Sequence, residues 1–441
     1  MWVIGGLMAF IEKFFKLKEH GTNVKTEVLA GITTFMTMAY ILVVNPAMLS
    51  EAGMSFGGVF TATALSAVIA TLVMALHAKY PFALAPGMGL NAFFVYSVVM
   101  GMGKSWQFAL TAVFIEGLIF LLLSLFNGRE MIFNAIPKGL KNAVSVGIGL
   151  FIAFIGLSGA GIGSAGEGTI VQLGNLHSAA AIVAIIGIIF TGVLVAKKVK
   201  GALLIGIIVT TLVGIPFGIT GTPEALMSLP PTLKGTAFQF VGWNEIFSWQ
   251  MLTVVFTFLF VDIFDTVGTL AGVASKADML DENGNLERVD KALMADAIGT
   301  TAGALLGTST VTVFVESASG VAEGGRTGLT ALTTAGMFFV ALFFAPLLAV
   351  IPSAATTPAL VIVGLFMMSS IVDIDFSDFT EAIPAFLTIV MMPFAYSIAE
   401  GIMFGMVSYV ALKALTGKFK DVSIFMWVLA GIFILRVVFM M

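Results

Sequence analysis

Ile136-Pro137-Lys-Gly-Leu-Lys-Asn-Ala-Val-Ser-Val-Gly-Ile-Gly149-Leu150-Phe151 leads into an apolar run that ends near residue 160, and its frame returns later in the chain. Ile351-Pro352, eleven residues, then Gly364-Leu365-Phe366 repeats Ile136-Pro137, eleven residues, Gly149-Leu150-Phe151, at a constant offset of 215. A membrane-spanning helix needs about 20 apolar residues, and each copy opens a run of roughly that length. Counted from the start, these are the fifth and the twelfth runs. Seven crossings separate them, an odd number, so the two copies traverse a membrane in opposite directions. Inverted repeats of seven helices are the plan of many secondary transporters.

Working outward, Gly, Pro and charged residues bound apolar runs near 27–49, 58–78, 83–100, 106–126, 140–160, 178–196, 201–220, 250–274, 292–306, 309–322, 328–350, 357–372, 380–397 and 398–415. The expected fold is therefore an all-α polytopic membrane protein of about fourteen transmembrane helices. Its parts are an N-terminus at 1–26, a first repeat at 27–220, a polar inter-repeat loop at 221–249, a second repeat at 250–415 and an apolar C-terminal segment at 416–441. Whether 423–441, interrupted by Arg436, spans or lies at the interface stays open. With a cytoplasmic N-terminus, eighteen Lys and Arg fall on inner segments and only Lys104 and Lys234 on outer loops, as the positive-inside rule requires. Met1–Phe10 is apolar but has neither a preceding basic region nor a small-residue cleavage site, so no signal peptide is expected. Short tails point to a bacterial inner membrane.

Composition supports this. Of 441 residues, 59% are apolar and 10% charged, against about 25% charged in soluble domains, too few to coat a soluble globule. Zero Cys and three scattered His leave no thiolate chemistry and no histidine metal site. No metal, cofactor or nucleic-acid partner is expected, and no Walker motif offers direct use of ATP.

Two spans are broken in matching positions. Pro81-Phe-Ala-Leu-Ala-Pro-Gly-Met-Gly-Leu-Asn91-Ala-Phe-Phe94 lies in the third, and Gly307-Thr-Ser-Thr-Val-Thr-Val-Phe-Val-Glu316-Ser-Ala-Ser-Gly320, rich in β-branched residues, in the tenth. A short extended stretch followed by a half-helix is expected in each, with free backbone N–H groups near a midplane binding site. The bland reading is that Gly and Pro only permit close packing or a kink. Carboxylates within spans are costly and are functional candidates. Asp262 and Asp265, three apart, share a helical face of the eighth span with Thr269, and Glu316 sits in the tenth. Phe93 and Phe94, beside Asn91, are positioned to stack on a ring. A structural hydrogen bond suits Glu116, Asp296 and Glu400 equally well, and Glu323 and Arg326 read as an interfacial pair. Gly161-Ile-Gly163-Ser-Ala-Gly166 follows no strand and is no dinucleotide motif. The acidic loop Lys276–Lys291 reads as a solvated hairpin.

Gly21-Thr-Asn-Val-Lys-Thr-Glu27, Thr34-Phe-Met-Thr-Met-Ala-Tyr40, Asn45-Pro46, Ala85-Pro-Gly-Met-Gly-Leu-Asn91, Phe264-Asp-Thr-Val-Gly-Thr269 and Glu316-Ser-Ala-Ser-Gly-Val-Ala-Glu-Gly-Gly-Arg-Thr-Gly328 together resemble the AzgA-like purine permeases. These are a branch of the nucleobase/ascorbate transporter superfamily. The resemblance covers residues 10 to 415. It implies a core domain of helices 1–4 and 8–11, a gate domain of helices 5–7 and 12–14, and a nucleobase bound between them with cation coupling, usually by protons. It assigns Asp265 as the eighth-helix acid that binds the base and Glu316 as the tenth-helix glutamate that hydrogen-bonds it. Asn91 matches the third-helix position beside the half-helix, and Val315 a backbone contact. The uracil branch has a histidine four residues after the eighth-helix acid where this chain has Thr269, so a relay through that histidine does not transfer. Aspartate at 265 is one methylene shorter than glutamate and leaves room for a bicyclic purine.

Chemically, a purine edge offers ring N–H donors beside N or carbonyl acceptors, which carboxylates and an amide can read. A neutral base brings no charge to a buried carboxylate, so proton binding is the natural coupling, through Asp265 and its neighbour Asp262. The expected function is import of a purine, hypoxanthine or guanine ahead of adenine, with protons or alternatively sodium. A homodimer stays open. The competing readings are an anion transporter of the sulfate/bicarbonate type, which Asp265 and Glu316 oppose by repulsion, and a channel or membrane enzyme, opposed by the absence of a ring of like charges and of a nucleophile.

Overall fold

The computed structural model describes residues 9–125, 136–166, 168–223, 225–276, 279 and 286–440. Nine helices among them are long and apolar enough to cross a membrane, and Met88–Gly101, Ala202–Gly214 and Phe379–Phe394 are shorter apolar helices. With Val289–Leu306 and the six-residue Ser317–Ala322, they follow the fourteen expected runs one for one. The segment left open in the sequence is also helical, Ile424–Met440. Of the expected loop hairpin, residues 277, 278 and 280–285 lie outside the described residues, as do residues 1–8 of the apolar N-terminus.

The helices begin where the sequence supplies caps. Asn23, Ser55, Ser178 and Ser397 each accept a first-turn N–H with their side chains, satisfying donors that the helix itself leaves unpaired. The duplicated prolines do the same work in both halves. Pro137 (φ −60°, ψ 142°) and Pro352 (φ −75°, ψ 155°) stand immediately before Lys138–Gly159 and Ser353–Met368, where a missing N–H breaks no helical bond. These two helices, the fifth and twelfth spans, then run against each other on small residues. Thr357 Oγ1 donates to the Gly156 carbonyl at 3.2 Å, and a Cβ on Gly156 would lie 2.8 Å from Leu360 Cβ. Small residues of this kind let backbones approach where lipid offers no hydrophobic drive for association.

The third and tenth spans are interrupted as expected. Leu84–Pro86 and Val311–Val313 are strands, paired antiparallel with Leu84 opposite Val313, Ala85 opposite Thr312 and Pro86 opposite Val311. Unpaired backbone inside a membrane protein costs several kcal/mol per group, and the pairing accounts for the inner edges. Gly87 N–H reaches the Thr310 carbonyl at 3.0 Å, and Phe314 N–H the Ala83 carbonyl at 3.0 Å. The outer edges are served by two threonines in equivalent places. Thr71 Oγ1, from the second span, donates to the Leu84 carbonyl at 3.1 Å and accepts Leu84 N–H at 3.0 Å. Thr300 Oγ1, from the ninth, donates to the Val311 carbonyl at 3.0 Å and accepts Val311 N–H at 3.1 Å.

Candidate substrate site

Antiparallel pairing sends the helical parts Met88–Ala92 and Ser317–Ala322 away from the strands in opposite directions. Beside this crossing lies a cavity of about 630 Å³, bounded by the fifth, eighth, tenth and twelfth spans. Asp265, Gly268, Thr269 and Gly272 line it from the eighth span, and Val315 and Glu316 from the tenth. Their spacing of three, four and seven puts the eighth-span residues on one helical face. A Cβ on Gly268 or Gly272 would meet nothing within 4 Å, so this face is open at both glycines and carries Val261, Asp265 and Thr269. Ile148, Val363 and Phe366 supply apolar wall from the fifth and twelfth spans, and the cavity extends to Lys138, Lys141 and Ser370 at the ends of those spans.

Asp265 lies over the start of the third-span half-helix: a Cβ on Gly87 would stand 3.6 Å from Asp265 Oδ2. A side chain at 87 would also run into Thr312, 2.5 Å away, so glycine is what lets the strand pair and the carboxylate share this corner. Ile148 closes the other side, 2.8 Å from a Cβ built on Gly89. Glu316 Oε1 accepts the Tyr40 hydroxyl at 2.8 Å.

Of the sequence-derived candidates, the structure thus brings Asp265, Thr269, Val315 and Glu316 to one cavity. It sets three others behind its wall. Asn91 is fully buried and its Oδ1 accepts the Ser309 hydroxyl, which ties the third span to the tenth. Phe93 packs edge-on to Phe258 with ring centroids 4.8 Å apart. Asp262 is buried, with Thr266 Oγ1 at 3.4 Å from its Oδ1, 2.8 Å from Asp296 Oδ2 and 2.7 Å from Thr312 Oγ1. Asp262 lies about 60° around the helix from Asp265, on the side away from Gly268 and past the edge of the cavity face; it adjoins Thr266, whose hydroxyl also reaches Asp296 of the ninth span.

The Glu323–Arg326 pair expected at the interface is not what forms. Glu323 pairs with Lys200, while the Arg326 guanidinium donates to the Val321 and Gly325 carbonyls at 2.7 and 2.8 Å, one in the last turn of the short tenth-span helix and one in the turn that follows it. Glu116 accepts from Thr310 Oγ1 at 3.3 Å, the interhelical role foreseen as one option. Missed by the sequence reading were Tyr40, Ile148 and the twelfth-span wall. The signal for Gly268 and Gly272 was present in Asp265-x-x-Gly-Thr-x-x-Gly; nothing local marked Tyr40.

A family model described as "Permease family" matches residues 25–404. The guanine/hypoxanthine permease PbuG of Bacillus subtilis is 47% identical over 98% of this chain and 100% of its own length. The adenine permease AdeQ of Escherichia coli is 42% identical over 97% and 96%. Among solved structures, the transmembrane domain of the cyanobacterium bicarbonate transporter BicA aligns with a TM-score of 0.64 at 19% identity, covering 85% of this chain and 97% of that one, a likeness of fold alone. The chain is a membrane transporter rather than an enzyme, and it belongs to this permease family, in the AzgA-like purine branch of the nucleobase/ascorbate transporter superfamily.

Proposed function

We propose that the protein imports purine nucleobases with protons, hypoxanthine and guanine ahead of adenine, by alternating access between a core of spans 1–4 and 8–11 and a gate of spans 5–7 and 12–14. The observation that carries this is the meeting of Asp265 and Glu316 at one cavity whose other wall comes from the fifth and twelfth spans, apolar at Val144, Ile148, Val363, Phe366 and Met367 and polar toward the ends of those spans. Two carboxylate acceptors suit a neutral ligand with N–H donors along a flat edge, and Thr269 and the Val315 backbone add short polar contacts. Asn91 and Phe93 support the site from behind, fixing the third-span half-helix. Moving a neutral base past ionised carboxylates favours taking up a proton with it, and Asp265, with Asp262 three residues away, is the assigned carrier. The N-terminus is assigned to the cytoplasm of a bacterial inner membrane. An anion cargo, which the fold would also accommodate, is disfavoured by the same two carboxylates.

Uptake of radiolabelled hypoxanthine into proteoliposomes tests the reading. Competition should rank hypoxanthine and guanine above adenine and uracil, and a protonophore should abolish accumulation against a gradient. Best competition by adenine would overturn the substrate order, a preference supported on the other side by the AdeQ relative. Accumulation that ignores the protonophore and follows sodium would overturn proton coupling.

A further inference from the structure

Tyr40 stands at the break of the first span, between the helices Val24–Met38 and Ile41–Glu51, and is 1% exposed. Its hydroxyl donates to Glu316 Oε1 at 2.8 Å, and its ring tilts against Phe314, centroids 6.4 Å apart. One helical turn earlier, Thr37 Oγ1 lies 3.5 Å from the Glu316 carbonyl. The first span therefore grips both the backbone and one carboxylate oxygen of a residue on the cavity wall. Asp265, on the same cavity, receives no side-chain hydrogen bond among the described residues.

We infer that Tyr40 is the positioning residue that divides labour between the two carboxylates, holding Glu316 as an acceptor for the base and leaving Asp265 to take the proton. This rests on the reading of Glu316 and Asp265 given above. The reasoning is one of donors and acceptors. A phenol makes a stronger bond to a carboxylate than to a neutral acid, so a Tyr40 proton committed to Oε1 fixes Glu316 in its accepting form and fixes the plane of the carboxylate. Oε2 is then the oxygen offered to an N–H of the base. Asp265 has no such donor, so charge compensation on loading falls to it. Tyr40 itself need not touch the base. Buried at a helix break, it lets the first span sense whether the tenth-span carboxylate is correctly set.

Tyr40→Phe removes one oxygen and keeps the ring, so its packing on Phe314 survives. In proteoliposomes Y40F should raise the KM for hypoxanthine about tenfold with Vmax within about twofold, while a protonophore still abolishes accumulation. In an E316Q background the same change should add nothing, because its effect passes through Glu316. Counterflow of labelled against unlabelled hypoxanthine gives the KM of each variant even where net uptake is slow. A fall in Vmax with KM unchanged, or a Y40F effect that persists undiminished beside E316Q, would overturn the role assigned to Tyr40. Wild-type protein that takes up no purine at all would instead overturn the function on which that role rests.

Discussion

Gly149 and Gly364, the glycines of the two Gly-Leu-Phe triplets, lie against each other in the structure. A Cβ on Gly149 would stand 2.5 Å from the Gly364 carbonyl oxygen, and one on Gly364 would meet the Gly149 carbonyl oxygen in return. Residues that reveal the duplication in the sequence are thus among those through which its two copies touch. Equivalent residues touch in this reciprocal way only beside an axis relating the two halves, and the close approach explains why both positions lack a side chain.

It follows that Gly149→Ala and Gly364→Ala should each push the fifth and twelfth spans apart and destabilise the protein by roughly 1–3 kcal/mol, the usual penalty for overpacking. The double variant should cost less than the sum, since the first change already opens the gap. Gly336→Ala, where a Cβ meets nothing within 4 Å, is the control. Thermal unfolding of the purified protein in detergent measures all four, and full additivity would mean the two glycines do not share one contact.

The paired threonines give a second test. Thr71→Val or Thr300→Val strands one buried N–H and one buried carbonyl on the outer edge of a strand, at about 1–3 kcal/mol per group. Thr→Ser at either position keeps the hydroxyl and should recover most of the loss. Equal stability of the Val and Ser variants would show that the strand edges do not depend on these hydroxyls.

These threonines also mark where sequence reading stops. The fourteen elements, their inverted relation and the strand-then-helix form of the third and tenth spans were legible because Pro81, Pro86 and the Val-Thr-Val of 311–313 signal extended backbone locally. Asp265 and Glu316 were legible because a carboxylate in an apolar run demands an explanation. Thr71 and Thr300 look like any threonine in a membrane helix, and their role exists only through backbone groups 11 to 13 residues away. Asn91 carried the strongest local signal in its span, yet the half-helix turns it toward Ser309. A one-dimensional pattern does not fix the rotation of a five-residue helix about its axis.

Glu316→Gln should reduce purine uptake far more than Glu323→Gln. The first removes a charge from the cavity and weakens a hydrogen bond of roughly 1.5–3 kcal/mol, about ten- to a hundredfold in affinity. The second breaks an exposed pair with Lys200, of a kind worth under about 1 kcal/mol. Equal losses at equal expression would detach Glu316 from substrate binding.

Outside the spans, the Lys418 ammonium, 2.9 Å from Asp378 Oδ2, and the Thr380 hydroxyl and N–H, each 2.8 Å from Oδ1, hold the Asp378 carboxyl well below the usual carboxylate range. A depressed value means that its contribution is present above the ordinary carboxylate range and is lost as pH falls through the lowered one. Wild type should be more stable than Asp378→Asn from about pH 5 to 8, with the gap closing only on further acidification. A gap that opens toward low pH would reverse the assigned sign.

Away from Lys138 and Lys141, contacts join the third span to the start of the fourteenth. Ser97 Oγ accepts Ile398 N–H at 3.3 Å, the Tyr96 and Tyr396 rings meet edge-on with centroids 5.9 Å apart, and Tyr96 donates to Glu51 at 3.0 Å. Tyr396 also packs on Phe151, thirteen residues or about 20 Å along the fifth span from Lys138, so these contacts sit far from the lysine-lined end of the cavity. The alternating access proposed above would require them to part once per cycle. The chain has no Cys, so Ser97→Cys with Ile398→Cys places two thiols across this contact with no native thiol to compete. Oxidation should lock this contact, stopping uptake while leaving hypoxanthine able to protect Gly268→Cys, placed in the same protein, from a thiol reagent in detergent. Reduction should restore transport. Undiminished uptake by the fully cross-linked protein would mean that this contact never has to open.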